Sequence, residues 1–141
     1  MKHNLPTTTS AQMTMIFLVQ LLLNSVVIWL ANIVFPSQVV LGTAYFTLGW
    51  AIFHSMLALS LIGTLVVPLF EWKQEMMGKA LTSQHWMIGY LAINFAGIWV
   101  ITRFSEQFGL GISAWWVGLL LAAVFDFVQG MGMMMVLKKE K

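Results

Sequence analysis

Cysteine is absent from the 141 residues. That removes disulfides, thiolate metal sites and a cysteine nucleophile together. Charge is the second scarcity: 9% of residues are Asp, Glu, Lys or Arg, against roughly 25% in an ordinary soluble domain. After Lys2 none of them occurs until Glu71. A soluble fold needs charge along each surface element, so an uncharged stretch of that length excludes one. Also missing are a glycine-rich phosphate loop, a zinc-binding histidine pair and a Ser-His-Asp set, and the polar segments are too short to build an active site. A protein that is not an enzyme is expected. What the chain has in quantity is apolar residues, 60% of the total.

A bilayer core of roughly 30 Å takes about 20 apolar residues per helix. Four runs qualify: 13–35, 42–70, 85–104 and 111–137. The second and fourth are long enough to tilt or to project beyond the hydrocarbon. Lys2, Lys73, Lys79, Lys138, Lys139 and Lys141 all fall on one side of this arrangement, and the two opposite loops offer only Arg103. The positive-inside rule then places both termini in the cytoplasm. With so few charges, the pI near 9.2 reflects topology and not a nucleic-acid surface. No small-x-small cleavage motif follows the first run, which reads as an uncleaved span. The expected organisation is a cytoplasmic segment 1–12, a transmembrane hairpin 13–70, a charged cytoplasmic loop 71–84, a second hairpin 85–137 and a basic tail 138–141. Trp72 and Trp86 flank the charged loop, while Trp115 and Trp116 sit near the other interface, as an aromatic belt requires. The segment EWKQEMMGK lies either along the headgroups or in water as a linker.

A short phrase occurs twice, FPSQVVLG at 35–42 and FSEQFGLG at 104–111. Asn24, Ile28 and Trp29 recur as Asn94, Ile98 and Trp99 at an offset of 70, and Gly49 and Gly63 as Gly118 and Gly132 at 69. Shared Leu and Gly are cheap among apolar sequences, whereas Asn, Trp and Gln in one collinear register are not. The reading is a duplicated hairpin, both copies entering the membrane in the same direction, related by an axis along its normal. Each phrase would be the tight outer turn, with Pro36 ending the first helix and Gly42 and Gly111 opening the return helices. The fold class expected is all-α, a polytopic four-helix membrane bundle built as two parallel hairpin repeats.

Placing the spans symmetrically brings Asn24, His54, Asn94 and Asp126 to mid-depth, with Gln20 and Gln129 about one turn away at roughly 1.5 Å per residue. An Asp at a helix centre costs on the order of 3 kcal/mol on insertion scales and is seldom left facing lipid. The functional reading is a buried His54–Asp126 pair supported by the asparagines, a proton- or ion-linked site. The structural reading is interhelical hydrogen bonding that holds the bundle. His54 is also a candidate axial ligand, weighed against an ordinary core histidine. Ala92 and Ala96, and Gly118 and Ala122, have small-x-x-x-small spacing, which permits close helix packing. The methionines of QGMGMMMVLKK read as filler, and His3 stands alone near the amino end. No metal or other cofactor is expected, although bound lipid is.

LLLNSVVIWLA, FPSQVVLGTAYFTLGW, LVVPLF, INFAGIWV and ITRFSEQFGLGISAWWVGLLLAAVFDFVQG together resemble the four-span phage-holin-like family of small bacterial membrane proteins over most of 15–130. Two stretches differ from the family pattern: the charged EWKQEMMGKALTSQ replaces an apolar segment after Pro68, and Asp126 stands where members often carry Asn. The resemblance implies a multi-pass protein of the bacterial inner membrane that oligomerises to form or modulate a pore. Two other classes stay open. One is an accessory subunit of a larger membrane complex, holding lipid or, through His54, a pigment. The other is a proton-coupled small-solute carrier using Asp126.

Overall fold

The computed structural model describes residues 7–138, with side chains through Val136. Lys2, His3 and the lysines at 139 and 141 lie outside the described residues. Four long helices dominate: α1 (Ser10–Val34), α2 (Leu48–Met77), α3 (Ser83–Arg103) and α5 (Trp115–Lys138). Each contains a stretch long and apolar enough to cross a membrane. Between α1 and α2 lies the strand β1 (Val39–Leu41), and between α3 and α5 lie a one-turn helix α4 (Ser105–Phe108) and the strand β2 (Leu110–Ile112).

Local chemistry explains most helix ends. Thr9, Thr47 and Thr82 cap α1, α2 and α3 by accepting from backbone N–H groups of the first turn, which satisfies donors that have no intrahelical partner. At α1 the cap is reciprocal, since the Gln12 side chain accepts from the Thr9 N–H. Helix α1 stops just before Pro36, as expected. Helix α2 does not stop where the apolar run does. It passes through Pro68 and continues over EWKQEMM, whose Glu, Lys, Gln and Met are good helix formers, until Gly78 turns left-handed at φ 67°. Residues 71–77 of the charged segment are therefore the last two turns of α2 and not a loop.

The repeated phrases are not simple turns. They supply β1 and β2, which pair antiparallel as a ribbon across one end of the bundle, with Val39 opposite Ile112, Val40 opposite Gly111 and Leu41 opposite Leu110. The ladder extends through Gly42 N–H to Gly109 O at 2.8 Å and Ser113 N–H to Gln38 O at 3.0 Å. Gly42 and Gly111 consequently belong to the ribbon, and the return helices open later, at Leu48 and Trp115. Asn32 Nδ2 donates to Val39 O at 2.8 Å, tying the ribbon to α1.

Around the bundle the helices run α1, α2, α3, α5, each packed on its two neighbours. One core cluster, with Ile28, Met56, Leu59, Ile98, Leu121 and Phe125, lies beneath the ribbon. A second, around Val66, Val67 and Tyr90, lies toward the opposite end. There the Phe70 and Trp86 rings meet edge-on at 4.8 Å between centroids. Glu71 accepts from the backbone N–H and the hydroxyl of Thr8, which ties the chain ahead of α1 to α2.

Candidate functional site

Midway along the bundle the apolar packing is interrupted by amides. Asn24 on α1, Ser60 on α2, Asn94 on α3 and Gln129 on α5 are each at most 1% exposed. Gln129 is the hub. Its Nε2 donates to Asn24 Oδ1 at 2.9 Å and to Asn94 Oδ1 at 3.3 Å. Its Oε1 accepts from Asn94 Nδ2 at 3.0 Å, and Asn24 Nδ2 donates to Ser60 Oγ at 3.0 Å. All four helices are thus joined at one level. Unpaired amides at such a place would each cost on the order of 1–3 kcal/mol, so the arrangement specifies which faces meet.

One turn further from the ribbon, Tyr90 donates its hydroxyl to Gly63 O at 2.9 Å. Gln20 lies beside that hydroxyl. A Cβ on residue 63 would stand 2.5 Å from Gln20 Oε1, so glycine there makes the room Gln20 occupies. Gln20 is 1% exposed, and neither of its polar side-chain atoms has a hydrogen-bond partner. On the ribbon side of the amides, Ile28, Met56, Ile98 and Phe125, all fully buried, close the core.

The six polar residues singled out in the sequence separate into three groups. Asn24, Asn94 and Gln129 form the network, and Gln20 packs one turn away. His54 is elsewhere. Because α2 begins at Leu48, His54 sits near the ribbon end, half-buried, with Nδ1 2.9 Å from Trp50 O and its ring among those of Phe46, Trp50 and Phe53. Asp126 is half-buried at the rim of the buried face of α5, between buried Phe125 and exposed Phe127. No His54–Asp126 bond forms, and among the described residues Asp126 has no hydrogen-bond partner. Of the small residues, Gly118 and Ala122 are buried, and Gly118 faces Ile98, Phe95 and Ile112. Ala92 and Ala96 are exposed on the outer side of α3; Gly89 and Gly97 make that helix's close approaches, toward Phe70 and Leu59.

Ser60 and Tyr90 escaped notice in the sequence, and a signal for both was present. Ser60 stands 69 residues before Gln129 and Tyr90 stands 70 after Gln20, the same register that relates Asn24 to Asn94. Among the described residues no three His, Asp or Glu side chains come together. The network holds only amides and a hydroxyl, chemistry that joins helices. Comparison with protein families, with curated proteins and with solved structures gives no match.

Proposed function

We propose that this chain is an integral protein of a bacterial inner membrane, inserted through α1, α2, α3 and α5 with both termini cytoplasmic, and that copies associate laterally to form or modulate a pore. Insertion is supported by the outside of the bundle, where Leu22, Leu65, Ile88 and Phe127 are each more than half exposed. Apolar surface so extensive supports a membrane-facing exterior. A duplicated hairpin is supported by the ribbon, where Leu41 and Leu110, equivalent at an offset of 69, lie opposite each other. It is supported again by Asn24–Ser60 and Asn94–Gln129, equivalent bonds in the two halves.

The observation that carries association is Asp126. A mid-span carboxyl at the rim of its bundle, with no hydrogen-bond partner among the described residues, costs on the order of 3 kcal/mol against lipid. A second copy removes that cost by covering it. Because the core of one copy is filled, passage would run between copies. Liposomes loaded with dye and carrying the protein at increasing density test the reading. Leakage should rise with density, and D126L should lose both leakage and association measured by energy transfer between labelled copies. Tight liposomes at high density would end the pore reading.

A second reading, an accessory subunit holding a pigment, is favoured by the His54 geometry. With Nδ1–H directed to a backbone carbonyl, Nε2 keeps its lone pair, the arrangement typical of ligating histidines. A natively purified protein without visible absorbance would count against it.

A further inference from the structure

An open apolar groove of about 510 Å³ runs between the ribbon-side halves of α1 and α5. We infer that it seats one acyl chain of a membrane phospholipid; this rests on the membrane reading above. Its floor and walls include Val27, Ala31 and Val34 from α1 and Trp116, Leu120 and Val124 from α5. Its polar lining residue is Gln38, at the ribbon end, where a glycerol backbone and headgroup would lie.

Length and lining suit this occupant. From Val27 to Val34 and the start of the ribbon, the groove covers roughly 12 Å at 1.5 Å per residue, close to the roughly 15 Å of one leaflet's hydrocarbon. The groove is lined by apolar side chains along that length and has its polar residue, Gln38, at the ribbon end, which suits one hydrocarbon chain with its polar end at the ribbon.

The groove is not a general consequence of bundling, because the equivalent seam between α2 and α3 is closed. There Gly97, in register with Val27, lets Leu59 Cδ1 come within 3.0 Å of where a Cβ would stand. Nearer the ribbon, Ala51 Cβ lies 2.6 Å from the corresponding point on Gly109. The two halves of the chain diverge where the groove opens.

The test uses the full chain reconstituted in phosphatidylcholine vesicles, floated on a density gradient, extracted into mild detergent, washed, and weighed by native mass spectrometry. Wild type should retain a phosphatidylcholine molecule on each copy. A31W, which fills the groove from α1, and V124W, which fills it from α5, should lose that lipid, while A96W on the outer side of α3 should keep it. Flotation with no lipid retained by wild type, or equal retention by both filled variants, overturns the groove alone. So does loss of association between copies with lipid unchanged, which would give the groove to a second copy. Failure of the wild type to float overturns the membrane reading and the groove with it.

Discussion

Asn24 and Gln20 are one turn apart on the same helix, both fully buried, and should respond oppositely to the same change. Asn24 is bonded to Ser60 and Gln129, so N24L strands two polar partners. Gln129 is bonded to both asparagines, and Q129L strands two amides. Each should lower stability by on the order of 2 kcal/mol, the cost of buried groups left unsatisfied, as read from unfolding in mixed detergent and SDS. Gln20 lies beside the Tyr90 hydroxyl, but that hydroxyl donates to Gly63 O and neither amide atom of Gln20 reaches hydrogen-bond geometry; replacing an unsatisfied polar group by an apolar one of similar shape removes a penalty. Q20L should therefore leave stability unchanged or raise it by about 1 kcal/mol; a loss as large as that of N24L would show that Gln20 is bonded. Asn24, Asn94 and Gln129 could be picked out from the chain because amides are rare in apolar runs. His54 was misplaced because its depth depends on where α2 starts, and Gly42 and the ribbon, not hydropathy, set that point.

Two glycines of one repeated phrase separate local from tertiary demands at the level of the element. Gly109 holds φ at 82°, and a Cβ there would lie 2.6 Å from Ala51 Cβ and 3.0 Å from its Cα. G109A should destabilise by about 2–4 kcal/mol, combining overpacking against backbone with a left-handed penalty. Gly111 has open space around it and no such φ, so G111A should fall within about 0.5 kcal/mol of wild type. Thermal melts of the two variants in one detergent decide it. The four helices were legible because each apolar run is long. The ribbon was not, because strand pairing between segments 69 residues apart leaves no hydropathy signal, only the likeness of the phrases. Nor does hydropathy mark the end of α2: helix formers follow Pro68 and the helix carries on to Gly78.

For the whole molecule, the lack of cysteine makes a clean experiment available. Tyr45, 90% exposed in the turn after the ribbon, and Glu75, exposed near the far end of α2, lie at opposite ends of the bundle. Single replacements Y45C and E75C should label from opposite sides with a membrane-impermeant thiol reagent in intact cells, Y45C from outside. Labelling of both from one side would end the four-span reading and the orientation with it. Scarce charge and four long apolar runs already dictated helices and their number, because backbone polar groups away from water must bond within their own segment. Which faces meet, where the ribbon closes and which mid-helix polar groups pair followed from packing. An apolar helix is equally greasy all round, so only contact with its neighbours distinguishes an inward side chain from an outward one.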